Sequence, residues 1–414
     1  MKILWFSNCI LSEKKTSSTG TWLFTMAKAL VEQGVELYNI TQSGVVKDIE
    51  ESFDFLTGQW ILPLYKLKDG IPNRNSIEKI QELVTRVNPD IIHIWGMESY
   101  WGLLTSRGFI KGRVLLEIQG IKYSCWDAFV GGLSLTDQMR CFRFKECIKP
   151  SQSIWGKQKE FKEWGKYEKE MLVSHSLIST QSAWVRAWIK PYVKSNTDIL
   201  STRISVRNEF LGDKIWTYPM GKRVSIMCIA SCISYKGIHV AIRALSLLKN
   251  KYPDITLKIA GNFIFNKPFY RVPGYMYFLK ELINELDLND NVKFLGPLTA
   301  SKIVEEACAS HVMIHPSFVE SYSLALAETM ALGVPSVISY AGAMMELAEN
   351  KVSGLFYKSD DYHQCAELIS SLIESKELCM QISKNSISIG RNRNNPYSAV
   401  NKQMEIYEKI LRCK

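Results

Sequence analysis

His315-Pro316-Ser317-Phe318-Val319-Glu320-Ser321-Tyr322-Ser323-Leu324-Ala325-Leu326-Ala327-Glu328 joins the end of one element to the start of another. The apolar run before Pro316 reads as a buried parallel strand, and the proline disfavours helix at His315, so the strand is expected to stop there. Ser321 and Ser323 are N-cap candidates. Leu324, Ala327 and Ala331 recur at helical spacing, as do Leu326 and Met330, until Gly333-Val334-Pro335 closes the helix and a strand from Ser336 to Ser339 begins. Glu320 then lies on the loop and Glu328 in an early helical turn. Helical side chains lean toward the N-terminus, so Glu328 is expected to face the opening that Glu320 borders. Free amides and the macrodipole favour an anion there. Two carboxylates repel a phosphate, so they are expected to accept hydroxyls on either side of one; a sugar, a diphosphate and a ribose in series present that pattern. The plainer alternative is a loop charge and a solvated helix residue.

The chain has 414 residues, which suits two domains, and its 46% hydrophobic and 22% charged content is that of a globular protein. No uninterrupted apolar run reaches the ~18 residues of a membrane span. Met1-Lys2-Ile3 leads straight into a strand-like run, which argues against a signal peptide. The 10 cysteines are scattered without CxxC or metal-like spacing, as in a reduced cytoplasmic protein. The six histidines are dispersed too, and no metal site is expected. A net charge of +10 is compatible with nucleic acid or an anionic membrane surface as partner, though no nucleic-acid motif accompanies it, and a phosphate-bearing substrate explains it as well.

Lys2 to Phe6 reads as a strand, followed by the small-residue loop Ser17-Ser18-Thr19-Gly20-Thr21, a helix with Trp22, Met26 and Leu30 on one stripe, and a strand from Val35 to Ile40. That order opens a doubly wound α/β sheet, whose ligands bind at the carboxyl ends of strands. Thr19 and Gly20 are candidate contacts for that reason. No GxGxxG is present. Ser76 to Val87 is expected to be helical, Pro89 to Gly96 and Arg113 to Ile118 strands. His93, Trp95, Trp101 and Tyr123 stand at or just past strand ends, as packing residues or as contacts to a substrate. Residues 140–170 interleave Lys and Arg with aromatics; this is a solvated helical face with a buried stripe, or a surface that docks on an anionic bilayer. The chain turns irregular over Asn208 to Lys222, and from Arg223 the same plan repeats: strand, loop, Lys236-Gly237, helix Ile238 to Leu248, strand Ile255 to Ala260, helix Tyr275 to Leu286, strand Val292 to Gly296. Domains are expected over 1–210 and 223–396, with 211–222 as linker and an amphipathic helix within 397–414. Two Rossmann-like halves facing across a cleft follow from this plan.

The segment from Phe294-Leu295-Gly296 through His315-Pro316-Ser317, the spaced Glu320 and Glu328, Ala331-Leu332-Gly333-Val334-Pro335 and Gly354-Leu355-Phe356 resembles the carboxyl-terminal domain of the family-4 retaining glycosyltransferases, which have the GT-B fold. Pro89 to Gly96 is similar to the family's Pro-Asp-x-x-His strand, Lys236-Gly237 to its Lys-Gly pair, and the last helix to the segment that returns to the first domain. The resemblance implies an acceptor-binding first domain, a donor-binding second domain, and a nucleotide-sugar hexosyltransferase of bacterial surface-polysaccharide assembly. It further implies action without metal or other cofactor on a glycan or polyprenyl-phosphate-linked acceptor. The location expected from it is cytoplasmic, with a peripheral contact at the inner face of the membrane.

Carried over by position, the resemblance implies that Glu320 receives donor-sugar hydroxyls, Glu328 receives ribose hydroxyls, and amides near Ser321, Tyr322, Ser323 and Leu324 hold the diphosphate with Lys236. Ser231, Gly296 and Gly20 fall on the donor side and Thr19, His93, Trp95, Trp101 and Tyr123 on the acceptor side. Three departures stand out. Ala230-Ser231 replaces a usual Gly-Arg, so one phosphate cation is absent. Gln119 replaces a histidine and cannot carry a proton at neutral pH. Ser321 and Ser323 replace glycines whose backbones are freer. Transfer with retention is expected by front-face attack, Lys236 and the helix amides stabilising the leaving diphosphate. The rival readings are an epimerase or phosphorylase of the same architecture, and a catalytically impaired nucleotide-sugar-binding partner.

Overall fold

A computed structural model describes residues 1–13, 21–221, 223–263 and 271–412. The chain divides into two compact units, one of residues 1–122, 163–205 and 394–414, the other of 123–162 and 206–393.

The first unit is built on an eight-stranded sheet. Its strands are β1 (Lys2–Phe6), β2 (Glu36–Ser43), β3 (Glu50–Ser52), β4 (Gly58–Pro63), β5 (Ile91–Trp95), β6 (Val114–Ile118), β7 (Leu177–Thr180) and β8 (Asp198–Ser201), in the order β3-β4-β2-β1-β5-β6-β7-β8. Every pairing is parallel except that of β3 with β4 at the edge. Ile3, Leu4, Trp5 and Phe6 are fully buried, as the central strand of a sheet covered on both faces requires. Sequence periodicity placed β1 and the helix Ala183–Ile189 at their observed bounds. The helix read from Ser76 starts at Arg74, because Asn73 is its cap and accepts the Ser76 amide at 2.9 Å. β3, β4 and β8 escaped the reading: Glu50-Glu51-Ser52 carries no apolar alternation and is a strand only through its partner. The helix Pro396–Arg412 belongs to this unit; its Tyr407 hydroxyl accepts from Trp5 Nε1 at 3.0 Å.

The second unit holds a six-stranded parallel sheet of β9 (Ser225–Ile229), β10 (Thr256–Ala260), β11 (Val292–Gly296), β12 (Val312–His315), β13 (Ser336–Ser339) and β14 (Leu355–Tyr357), ordered β11-β10-β9-β12-β13-β14. β12 stops at His315 before Pro316, and the helix Leu324–Leu332 ends at Gly333, which takes a left-handed φ of 79°. The carboxyl ends of β9 and β12, adjacent in the sheet, therefore present the Lys236 turn and the Glu320 loop side by side.

Candidate functional site

Two glycines bring these segments together. Gly237 has φ +69°, and a Cβ there would lie 1.8 Å from the Pro316 carbonyl oxygen; at Gly342, φ +54°, it would lie 2.1 Å from the Glu320 carbonyl. Only glycine lets the backbones approach so closely. The Phe318 amide donates to Tyr235 O at 2.8 Å and the Ala343 amide to Glu320 O at 2.9 Å, while the Ser339 hydroxyl donates to Ser317 O. The 316–320 loop is thus pinned from both sides. Its side-chain outcome is one ion pair: Lys236 Nζ lies 2.6 Å from Glu320 Oε1, which also accepts the Ser317 hydroxyl at 2.7 Å.

A second glycine pair supports the Lys236 turn from the 123–162 segment of the same unit. Gly131, φ +62°, packs where a Cβ would be 2.3 Å from Ser234 O, and its carbonyl accepts His239 Nε2 at 2.8 Å. With Nε2 as donor, His239 Nδ1 accepts from the Tyr275 hydroxyl at 2.9 Å. Burial, aided by Arg243, pushes His239 down to about 4, so it stays neutral and structural. Sequence reasoning missed this support; the adjacent Gly131-Gly132 was its one local signal.

Ser323 occupies the N-cap position of the helix Leu324–Leu332, but with φ 76° and no side-chain hydrogen bond to the helix. It does not cap, contrary to the sequence expectation, because its backbone is turned into the left-handed region, at about 1–2 kcal/mol for a residue with a Cβ. Leu324 and Ser321 are half-buried and Tyr322 is buried. Ser231 is exposed after β9, and Gly296, φ +74°, ends β11.

Glu328 is not a solvated helix residue. Its side chain is 3% exposed, and the Arg207 guanidinium grips both oxygens, Nε to Oε1 at 2.5 Å and Nη2 to Oε2 at 2.8 Å. Burial raises its pKa while Arg207 pulls the other way. The two glutamates therefore do not share one partner: Glu320 has Lys236 and Glu328 has Arg207. Nothing local in the sequence marked Arg207, which lies 121 residues away from its partner. His315 is buried, pushed down to about 3, and meets Thr329 Oγ1 at 3.2 Å; His311 Nδ1 accepts the Ser225 amide. Among the described residues no group of three or more His, Cys, Asp or Glu side chains is arranged to hold a metal.

In the first unit His93 and Trp101 are fully buried and Trp95 is 2% exposed. His93 stacks on Trp95 at 3.9 Å and meets the Tyr407 hydroxyl at 2.7 Å. These side chains lie in the core of this unit. Gln119 is half-buried after β6, its carbonyl accepting Gln181 Nε2 at 2.9 Å. Tyr123, which falls in the second unit, packs on Trp126 at 5.1 Å. Thr19 and Gly20 lie outside the described residues. Beside Gln119 the sequence reading overlooked Glu98, whose carboxyl sits where a Cβ on Gly96 or Gly120 would collide with it, and which burial pushes up to about 7.

The 140–170 stretch divides its charges between pairing and solvent. Arg140 pairs with Glu285 at 2.5 Å and Arg143 with Glu281, both on the helix Gly274–Glu285. Glu146 is buried and accepts the Gly274 amide at 3.0 Å. Those charges hold the unit together. On the helix Ile154–Ser174 the charged Lys159, Lys162, Lys166 and Lys169 are exposed, and before that helix stands an exposed apolar set, Leu135, Met139, Phe144 and Ile148, with Lys149 among them.

Residues 218–388 match the family model described as Glycosyl transferases group 1. An uncharacterized glycosyltransferase of Haemophilus influenzae is 27% identical over 163 residues, 39% of this chain and 43% of that protein. A D-inositol 3-phosphate glycosyltransferase of Pseudarthrobacter chlorophenolicus is 31% identical over 134 residues, 32% of this chain and 29% of that one. The chain thus spans less than half the length of these curated relatives. Among solved structures, sucrose-phosphate synthase from Thermosynechococcus elongatus aligns over 100% of both chains with a TM-score of 0.75 at 15% identity. HepE of Anabaena, solved in complex with UDP-glucose, aligns over 99% of this chain and 100% of its own, with a TM-score of 0.69 at 17% identity. At such identities the likeness shows the fold alone: α/β with two parallel, Rossmann-like units, the GT-B fold.

Proposed function

From the premise that residues 218–388 belong to the group 1 glycosyl transferases and that the chain has the GT-B fold, we propose that this protein is a retaining glycosyltransferase that moves a sugar from a nucleotide-diphosphate donor to a glycan or lipid-linked acceptor in bacterial surface-polysaccharide assembly. The observation that carries the reading is the Lys236–Glu320 pair at the carboxyl ends of β9 and β12, beside the start of the helix Leu324–Leu332. A cation, a carboxylate and a helix N-terminus held on one rigid frame match a phosphate flanked by hydroxyls.

In this reading the second unit binds the donor. Its diphosphate takes Lys236 and the amides near Ser321, Tyr322, Ser323 and Leu324, while the sugar hydroxyls take Glu320 and the ribose hydroxyls Glu328. As the glycosidic bond to the diphosphate breaks, negative charge grows on the leaving oxygen. Lys236, released from Glu320 by the sugar's hydroxyls, stabilises that charge in the transition state more than in the ground state. Loss of such a donor typically costs about 2.7–4 kcal/mol of barrier, ~100- to 1,000-fold in kcat. The acceptor attacks from the face the diphosphate leaves, and its proton passes to the departing phosphate. Gln119 and Tyr123 are the acceptor-side residues of this reading. The apolar set at Leu135, Met139, Phe144 and Ile148, with Lys145 and Lys149 nearby and Asp137 and Glu146 buried, is suited to an anionic bilayer that carries a lipid-linked acceptor.

Titration with UDP-, GDP-, ADP- and CMP-sugars, followed by release of nucleoside diphosphate with candidate acceptors present, tests the proposal. Glu328→Gln is expected to weaken donor binding, and Glu320→Gln to lower transfer more than nucleotide affinity. Unchanged kinetics in both variants sinks the site assignment. Tight donor binding without turnover on any acceptor indicates a binding partner instead.

A further inference from the structure

The chain has no arginine at Ser231, and among the described residues its most deeply buried arginine–carboxylate fork lies elsewhere, on Glu328. We propose that Arg207 is a positioning residue for the donor's ribose: its fork takes one lone pair on each Glu328 oxygen and fixes the carboxylate plane, leaving the remaining lone pairs for the two ribose hydroxyls. This rests on the glycosyltransferase reading above.

The geometry argues for a fixed support. Arg207 is itself 12% exposed, and its guanidinium lies over the Phe210 ring at 4.8 Å, so the group is held from below as well as by the pair. It enters from the 207–210 turn, which packs along the helix bearing Glu328, and Trp216 ties the following stretch to the same helix through its amide on Leu332 O at 2.8 Å. Among the described residues no other cation pairs with Glu328. Glu209, on the Arg207 turn, is exposed and acts on it unfavourably. Arg391 on the helix Lys376–Arg393 is spent on the carbonyls of Ala331 and Gly212. On the helix Ala300–Cys308, Glu305 pairs with Lys302 and Glu306 with Lys258. Glu346 on the helix Met344–Leu347 is exposed, and His315 on β12 is neutral. Without the Arg207 side chain a carboxylate at 3% exposure loses its charge partner and takes up a proton more readily, becoming a hydrogen-bond donor where an acceptor is needed.

The test compares binding of UDP, GDP and ADP with their 2′,3′-dideoxy counterparts in the full chain between pH 6 and 9. The wild type is expected to prefer the tightest-bound ribonucleotide over its dideoxy form by about 10- to 100-fold, with little change across this range. Arg207→Met is expected to bring that ratio near one at pH 6 and to recover part of it as pH rises and Glu328 ionises. Arg207→Lys, which keeps the charge without the fork, should fall between and serves if the methionine variant does not fold. An Arg207→Met or Arg207→Lys protein that keeps the wild-type ratio at every pH overturns the proposal. A wild type with no ribose preference overturns instead the assignment of Glu328 to the ribose, on which the proposal stands.

Discussion

Gly237→Ala is the sharpest test of how the site is built. The residue follows the Lys236 turn with φ +69°, and an added methyl would stand 1.8 Å from the Pro316 carbonyl oxygen, a backbone atom with no rotamer to yield. A left-handed conformation with a Cβ costs about 1–2 kcal/mol. Relieving the contact requires one of the two backbones to move by more than 1 Å, since real Cβ contacts essentially never fall under 3.0 Å; such overpacking typically costs a further ~1–3 kcal/mol. Together this is about 2–5 kcal/mol, or roughly 5–15 °C in Tm for a unit of this size. The movement also separates Lys236 from Glu320, so donor binding should weaken along with stability. Gly34→Ala is the control: φ is +81° but no atom lies within 4 Å of the added methyl, so only the backbone cost of ~1–2 kcal/mol applies and donor binding is untouched. Calorimetry and nucleotide-sugar titration on both variants measure the difference. A Gly237→Ala protein that melts within a degree of wild type and binds donor equally well refutes the claim that this glycine fixes the loop.

Two further outcomes are expected. Glu117 on β6 is fully buried, receives the Ser179 hydroxyl, and is pushed up to about 8 by burial. With a folded pKa above the unfolded value, its stabilising contribution is complete below about pH 4 and is lost as pH rises toward 8. Glu117→Gln is therefore expected to stabilise the first unit by about 3 kcal/mol at pH 7 and hardly at all at pH 4 in urea unfolding; equal gains at both pH values would count against a buried acid. For the exposed apolar set, Phe144→Asp combined with Ile148→Asp should abolish flotation with phosphatidylglycerol vesicles while leaving nucleotide binding intact, and flotation at wild-type levels removes the membrane reading.

The elements that were legible in the sequence are those whose signal is local. β1, β11, β13 and the helix Ala183–Ile189 fall at the expected bounds because apolar runs, helical spacing and a serine cap act over a few residues. The turn chemistry around Pro316 and Gly333 placed Glu320 on a loop and Glu328 on a helix, as observed. The succession of strand, loop and helix around Lys236 and Glu320 was likewise readable, since the second half repeats a plan that the chain writes out in residue types.

Partners were not readable. Lys236 meets Glu320 across 84 residues and Arg207 meets Glu328 across 121, and no spacing rule relates such positions. His93, Trp95 and Trp101 look like strand-end contacts in the sequence, but the packing of the Pro396–Arg412 helix and the neighbouring strands closes over them. Arg140 and Arg143 look like a basic surface, yet the helix Gly274–Glu285 supplies their acids. Backbone preference and hydrophobic period are properties of neighbouring residues, so the sequence by itself determined the motif and those elements that carry a local signal, while a strand such as β3 exists only through its partner. Burial and charge pairing depend on what distant segments bring within a few ångströms, so only the tertiary structure decided which carboxylate each cation holds and which aromatics remain at the surface.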